Sequence, residues 1–221
     1  MAYRRTPAVQ ERLDAQRDAI AAAAVGLLGE RGYSGLSVSA VAERAGVATG
    51  SVYRHYVDKS DLMVRIFREL CTREVEAVTT AAAHGTGAER VGAVVGTFAR
   101  RALRNPVLAY ALLAEPVDAA VDAERLVLRR AFAAAFAGAV YHGIGTGEFP
   151  EQDVELTAAA LVGAVGEVLT GRLRGAADGR LRGAADGRLR EGATASTVPD
   201  LVALALRAAG YLRPAPTSCQ E

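Results

Sequence analysis

The sequence predicts an all-α fold of about nine helices, in which a short three-helix unit precedes a larger helical bundle. Hydrophobic residues make up 51% of the 221 residues but aromatic residues only 5%, and there is no Trp. The apolar mass is therefore mostly Ala, Val and Leu, which suits close helix packing better than a β-sandwich. Apolar residues also recur at the helical spacing i, i+3, i+4, i+7, and no convincing strand-type alternation occurs.

The individual helices follow from these apolar stripes. Ile20, Ala24 and Leu27 lie on one stripe, and Gly32 beyond them is a stop signal. Ser37 suits the N-cap of a second, shorter helix, whose apolar positions are Val38, Val41, Ala42 and Ala45. Further helical patterns cover residues 61–80, 88–104, 106–115, 119–143, 153–171 and 198–211.

The stretch over residues 171–190 contains an internal repeat. The octapeptide Gly-Arg-Leu-Arg-Gly-Ala-Ala-Asp at 171–178 recurs at 179–186, and a third copy begins at Gly187. An eight-residue period advances a helix by roughly 80° beyond two turns, so the leucines would not form a seam. Each glycine also costs a helix roughly 1 kcal/mol. We therefore expect a solvated loop over 171–190, with a basic arm for DNA or another acidic partner as the alternative.

Several classes of protein are excluded by composition. No apolar run approaches the roughly 20 residues of a membrane helix, and the amino-terminal residues lack the apolar core of a secretory signal. Cys71 and Cys219 are too few for a disulfide framework. The three histidines are dispersed and no nucleophile motif occurs, so we expect no enzyme, no metal and no cofactor. A cytoplasmic location without membrane contact is expected.

The net charge of +1 conceals a segregation of charge along the chain. Residues 1–60 have an excess of two basic side chains, residues 61–170 an excess of four acidic ones, and residues 171–190 an excess of four basic ones. Any electrostatic contact with an acidic partner must therefore be local.

Residues 37–59 have the spacing of a helix-turn-helix. Ala42 is small where two helices cross closely, and Gly46 permits a turn conformation that is closed to most residues. At 100° per residue, Val52 and Tyr56 lie on the side of the second helix that faces the protein core, whereas Gly50, Ser51 and Arg54 lie on the opposite side.

That outward face suits the major groove of DNA, because it combines small, hydroxylated and basic groups with a glycine that allows close approach. Tyr53, His55 and Lys59, which is the only lysine of the chain, are candidates for phosphate contacts. The alternative is that Tyr53 and Tyr56 are both core aromatics and His55 has no role.

Residues 16–70 resemble the DNA-binding region of TetR-family transcriptional regulators. The matching features are Gly32-Tyr33 after the first helix, Ser37-Val38, the segment Val-Ala-Glu-Arg-Ala-Gly-Val at 41–47, Gly-Ser-Val-Tyr-Arg-His-Tyr at 50–56 and Lys-Ser-Asp-Leu at 59–62. The resemblance implies a helix-turn-helix DNA-binding domain over residues 1–60 and a helical effector-binding and dimerisation domain over residues 61–221.

The resemblance also implies which residues contact DNA: Ser37, Thr49, Gly50, Ser51, Tyr53, His55 and Lys59. Two positions depart from the family pattern. Ser39 stands where some members have a base-reading Arg, and Ala48 replaces a frequent capping residue. We therefore add Ser39 to the candidates and expect base specificity to depend more on Thr49, Ser51 and Arg54.

A single helix-turn-helix offers few phosphate contacts, so we expect a homodimer on a pseudo-palindromic operator. The resemblance implies an interface of two helices per subunit, for which the helices near 153–171 and 198–212 are candidates. Their small and apolar residues are Leu156, Ala159, Ala160, Gly163, Val165, Gly166, Leu169, Leu201, Leu204, Ala205, Ala208 and Leu212. The alternative role of these residues is packing within one subunit.

A mainly apolar small-molecule effector is expected in the central bundle, because a core of small residues can leave a cavity. The candidate ligand-binding residues are Phe67, Phe98, Tyr110, Leu113, Phe132, Phe136, His142 and Glu167, and plain core packing is the alternative for each. The sequence thus predicts a dimeric repressor released from DNA by its effector. The alternative function is a ligand-sequestering or protein-binding module with a non-functional helix-turn-helix.

Overall fold

The computed structural model describes residues 7–181 and 191–211. This part of the chain forms nine α-helices and no strand, which confirms the predicted all-α class. The helices are α1 Pro7–Arg31, α2 Val38–Ala45, α3 Thr49–His55, α4 Lys59–Ala81, α5 Gly87–Arg104, α6 Pro106–Leu113, α7 Ala119–Gly145, α8 Val154–Leu181 and α9 Glu191–Ala208. Helix α9 begins earlier than predicted and contains Pro199.

The first hydrophobic core lies where α1, α2, α3 and the first half of α4 meet. Leu27, Val41 and Val52 are buried there, one from each of the first three helices. The other elements contribute Leu62, Met63, Ile66, Phe67 and Leu70 from α4, Ala111 and Leu112 from α6, and Val121 from α7. Helix α4 is shared, because Cys71 and Val78 on its second half belong to the other core. The domain boundary at residue 60 stays a prediction.

The second core is enclosed by α5, α7, α8, α9 and the second half of α4. The rings of Phe98 and Phe132 contact each other there, with 4.6 Å between their centroids. Helices α5 and α7 touch through glycines, since a Cβ on Gly87 would lie 2.4 Å from the Cα of Gly143. Small residues therefore bring these helices close together.

The first part of the octapeptide repeat is helical. Residues 171–181 continue α8, and Leu173 and Ala177 extend the buried stripe of Leu161, Val165 and Leu169. Burying one Leu side chain stabilises a fold by about 1.5–3 kcal/mol, which offsets the helix penalty of a neighbouring glycine. The predicted loop is thus wrong for residues 171–181, and residues 182–190 lie outside the described part of the chain.

Helix α8 also contains a long apolar stretch. Over Val154–Gly175 it is long and apolar enough to cross a membrane, judged by length and composition alone. No other helix among the described residues has this property. One such helix is weak evidence for a membrane, because core and interface helices of soluble proteins have similar compositions.

Candidate nucleic-acid interface and ligand cavity

The turn between α2 and α3 has the backbone geometry that the sequence predicts. Gly46 adopts the left-handed conformation (φ 68°) and its amide donates to the carbonyls of Ala42 and Glu43, which ends α2. At the other end of α2, the Ser37 hydroxyl caps the helix by accepting from the amide of Ala40. Helix α2 is therefore capped at both ends, and the turn at Gly46 leads directly into α3.

Helix α3 presents most of its predicted outer face to solvent. Val52 and Tyr56 are buried, as predicted, whereas the Tyr53 side chain is 53% exposed. Tyr53 is thus not a core residue. Of the other candidate DNA contacts near this face, Ser37, Ser39, Thr49, Gly50 and Arg54 are exposed and Ser51 is half-buried. The backbone before α3 is uncapped, because Ala48 has no side-chain acceptor.

Gly50 has no structural role that the described residues reveal. A Cβ at this position would meet no atom within 4 Å, and its φ is not positive. Glycine in a helix costs roughly 0.5–1 kcal/mol relative to alanine. A glycine that destabilises the helix and relieves no internal clash fits a surface that a partner approaches closely.

His55 and Lys59 contact neighbouring residues of the same domain. The Nε2 atom of His55 lies 3.1 Å from Oε1 of Gln16 on α1. The Lys59 ammonium donates to the Tyr33 carbonyl at 3.3 Å and lies 4.4 Å from the centroid of the Tyr33 ring. Both side chains are half-buried, so they fix the position of α3 and α4 relative to α1. Their predicted phosphate contacts stay a prediction.

A carboxylate from the turn between α6 and α7 holds the segment that follows α1. Glu115, between α6 and α7, is only 8% exposed. Its carboxylate accepts from the backbone amides of Tyr33 at 2.7 Å and Ser34 at 3.0 Å. Gly32 makes room for it, since a Cβ there would lie 2.8 Å from Glu115 Oε2. Sequence reasoning missed this contact, because nothing local relates residues so far apart in the chain.

Asp118 reinforces the same connection. It caps α7 and accepts hydrogen bonds from the hydroxyls of Tyr33 and Ser60. The Tyr33 hydrogen bond, together with the Val121 amide, lowers the pKa of Asp118 below its ordinary value. Burial and Asp118 raise the pKa of Tyr33. The turn between α6 and α7 is thus attached to α1 and to the start of α4.

A cavity of about 410 Å³ lies between α5, α6, α7 and α8, within the roughly 300–1,000 Å³ of small-molecule sites. Five predicted ligand residues line it: Phe98, Leu113, Phe132, Phe136 and Glu167. Sequence reasoning missed Val94 and Val162, which also line it, because apolar helix residues that line a cavity have the same pattern as those that fill a core.

The other three predicted ligand residues lie elsewhere. Phe67 belongs to the first core and packs edge-on against Tyr33 at 6.5 Å. The Tyr110 hydroxyl accepts a hydrogen bond from Arg174 at 3.2 Å, and His142 lies near the end of α7, outside the cavity lining. These three residues do not line this cavity; sequence reasoning did not separate them from the other five, because helical periodicity does not indicate which core a buried face joins. Their part in ligand binding stays a prediction.

A second, more polar cavity of about 310 Å³ adjoins the first. The two share the lining residues Leu113, Arg129, Glu167 and Thr170. Arg125 in the second cavity donates to the carbonyls of Ala111, Leu112 and Glu115. The apolar chamber thus continues into a polar one beside the turn that holds the end of α1.

The predicted interface helices combine inward and outward residues. Leu156 is 68% exposed, and Ala159, Ala160 and Gly163 are also exposed. The inward residues are Val165, Leu169, Leu201 and Ala205, which are buried in their own subunit; Gly166 and Leu204 are half-buried and Ala208 is exposed. Leu212 lies outside the described residues. For the inward four, the packing alternative is the one that the structure supports.

No group of His, Cys, Asp and Glu side chains among the described residues could hold a metal ion. Burial raises the pKa of the Cys71 thiol to about 12, so this thiol is protonated at neutral pH and is a poor nucleophile.

The geometry defines a class of protein: a helix-turn-helix with an exposed second helix, joined to an all-α domain that encloses an apolar cavity. The model of the family described as "Bacterial regulatory proteins, tetR family" matches residues 20–66, which contain this helix-turn-helix. Residues 20–66 are thus similar to the DNA-binding region of TetR-family regulators.

Two curated relatives and one solved structure extend the comparison. The HTH-type transcriptional repressor KstR of Mycolicibacterium smegmatis is 35% identical over 98 residues, 44% of this chain and 48% of that protein, so the chain spans about half its length. The fatty acid metabolism regulator protein of Bacillus subtilis is 25% identical over 152 residues, 67% of this chain and 78% of that protein. The crystal structure of the regulator FadR from Bacillus subtilis with stearoyl-CoA has a TM-score of 0.69 at 20% identity, covering 86% of this chain and 98% of that one. This last likeness concerns the fold.

Proposed function

We propose that the chain is a cytoplasmic, homodimeric transcriptional repressor that binds operator DNA through α3. The observation that supports this most is the outer face of α3, where Gly50 opens a surface that no internal contact requires. Tyr53 and Arg54 stand exposed beside it. The KstR repressor of Mycolicibacterium smegmatis, 35% identical over 98 residues, supports the same function.

The dimer would form through α8 and α9. Leu156 and Val168 are exposed on α8, by 68% and 38%, and the small residues between them permit close approach of another helix. These exposed apolar side chains, with the small residues beside them, are the observation that supports α8 as an interface helix. Two copies related by a two-fold axis would place two α3 helices on a pseudo-palindrome.

The effector would be mainly apolar and would occupy the cavity lined by Phe98, Phe132 and Phe136. The solved relative that binds stearoyl-CoA supports an acyl chain as the first candidate. Leu113 lines the cavity, and Glu115 two residues later holds Tyr33. A ligand that displaces the end of α6 would therefore shift α1 and lower operator affinity.

DNA binding is tested by fluorescence anisotropy with the DNA upstream of the coding sequence, titrated at several salt concentrations. We expect specific binding that weakens as salt rises. Tyr53→Ala should weaken it, while the free energy of unfolding changes by less than about 0.5 kcal/mol because Tyr53 is exposed.

The matched control is Tyr141→Ala, since Tyr141 is 74% exposed on α7, outside the helix-turn-helix. Binding that is absent at every salt concentration would favour the alternative, a ligand-sequestering or protein-binding module. Equal effects of both substitutions would remove Tyr53 from the DNA contacts. Adding stearoyl-CoA to the wild-type complex tests release by an effector.

A further inference from the structure

We propose that the effector is an amphipathic anion, whose apolar chain fills the first cavity and whose negatively charged head binds Arg129 and Arg130. This inference rests on the proposed function, because it concerns the same cavity. It adds a specificity-determining pair of residues and a chemical class for the ligand head.

The first cavity suits a chain without polar groups. Its walls are formed mainly by aromatic and aliphatic side chains, among them Phe98, Phe132 and Val162. A polar group placed among these apolar side chains would lose its water without gaining hydrogen-bond partners, which is costly. At about 410 Å³, the space equals roughly a dozen groups the size of a water molecule, at about 30 Å³ each.

The charged head of such a ligand would lie beside Arg129 and Arg130 of α7. Arg129 lines both cavities, and Arg130 lines the first. Both side chains lie one or two residues after the buried Leu128 on α7 and are themselves exposed. A chain anchored among the aromatic side chains would therefore emerge beside two guanidinium groups.

Arg129 and Arg130 have no hydrogen-bond or ion-pair partner among the described residues. The neighbouring Arg125, by contrast, is occupied by three carbonyls of the α6 region and by Asp122. The carboxylate of Asp122 is thus already neutralised by Arg125. Glu167 is the other acidic side chain that lines the second cavity. A ligand with a cationic head would bind this carboxylate instead of the two arginines.

Two guanidinium groups beside an apolar chamber match a carboxylate or a phosphate, because each guanidinium has a planar fork of donors for two oxygens. A free fatty acid and an acyl thioester of coenzyme A share this chemistry. They differ in whether the negative charge lies at the end of the chain or on phosphates further out.

The test measures ligand binding directly, without DNA, by calorimetry on the full-length protein. The probes share a twelve-carbon chain and differ in the head: laurate, lauroyl-CoA, the neutral 1-dodecanol and the cationic dodecylamine. We expect both anions to bind more tightly than dodecanol and dodecylamine to bind most weakly. A higher affinity for lauroyl-CoA than for laurate assigns phosphates as the head, and the reverse order assigns a carboxylate. Both orders support the proposal.

The variant Arg129→Ala/Arg130→Ala should reduce the affinity ratio of anion to dodecanol by about tenfold, the effect of one charge-assisted hydrogen bond. Arg129→Lys/Arg130→Lys, which keeps the charge, should restore part of the ratio. Arg104→Ala is the matched control, since Arg104 is exposed at the end of α5, outside both cavity linings, and should leave the ratio unchanged.

Three results would overturn the proposal: an unchanged ratio in the alanine pair, tightest binding of dodecylamine, or no binding of any probe. Operator binding by the wild-type protein is measured separately. Failure of the repressor function and failure of the anion site are therefore distinguishable.

Discussion

Removing the Glu115 carboxylate should destabilise the protein and weaken the connection between its two parts. Glu115 is buried and accepts from the amides of Tyr33 and Ser34. In Glu115→Ala both amides lose their acceptor. Ser34 is exposed, so its amide can bind water instead, whereas Tyr33 is buried. Losing the hydrogen bond of the Tyr33 amide is therefore the more costly of the two.

The magnitude follows from these two bonds. A hydrogen bond to a charged group contributes about 1.5–3 kcal/mol. Counting the Tyr33 bond in full and the Ser34 bond in small part, we expect a loss of about 2–4 kcal/mol. For a chain of this length that corresponds to a fall in Tm of roughly 5–15 °C. Glu115→Gln keeps one amide oxygen as an acceptor and should cost less than half as much.

Urea denaturation followed by circular dichroism measures this loss. Glu76→Ala is the control, because Glu76 is exposed on α4 and should change stability by less than about 0.5 kcal/mol. In parallel, stearoyl-CoA should change operator affinity less in Glu115→Gln than in the wild type. A stability change as small as that of Glu76→Ala would refute the proposed role of the carboxylate.

Three further predictions follow from single contacts. Gly50→Ala should stabilise the fold by up to about 1 kcal/mol in urea yet weaken operator binding, whereas Gly138→Ala, equally unobstructed on α7, should only stabilise; equal operator affinities would contradict this. Leu156→Asp should shift the species in sedimentation velocity from dimer to monomer, because its 68% exposed side chain lies on the proposed interface; an unaltered dimer would exclude that face. Asp118, whose pKa is lowered mainly by the Tyr33 hydroxyl, should stabilise the fold above its unfolded pKa of about 4 and lose this effect as pH falls through the lower folded value. The urea midpoint of Asp118→Asn should therefore vary less between pH 5 and pH 3 than that of the wild type, and identical slopes would contradict the argument.

The sequence predicted the helix-turn-helix best, because its determinants are local. Gly46, Val52 and Tyr56 lie within one short segment, and their spacing alone decides which side faces inward. The structure buries Val52 and Tyr56 and gives Gly46 a positive φ. Local geometry of this kind needs no knowledge of the remaining chain.

The sequence predicted the cavity only in part, because a buried helix face does not show which neighbour it meets. Phe67 and Phe98 both lie on apolar stripes of helical period, yet Phe67 packs in the first core and Phe98 against the second. Helix α4 passes from one core to the other between Leu70 and Cys71. No periodicity marks that change, since both halves have the same stripe.

The repeat shows how packing overrides local propensity. Glycine content argued for a loop, but Leu173 and Ala177 are positioned to continue the buried stripe of α8. The gain on burying them depends on the surface that α8 meets, which the sequence of the repeat does not specify.

The position of the first cavity relative to α6 bears on how the proposed effector would act on α3. Arg125 ties α7 to the carbonyls of Ala111, Leu112 and Glu115, so the end of α6 and the start of α7 are directly hydrogen-bonded to each other. Ala111 and Leu112 are buried in the first core, and Leu113 beside them lines the cavity. Because packed cores are not continuously deformable, a ligand that displaces Leu113 must also displace its two neighbours. Under the proposed function, such a displacement would reach the helix-turn-helix through the core that it shares with α6.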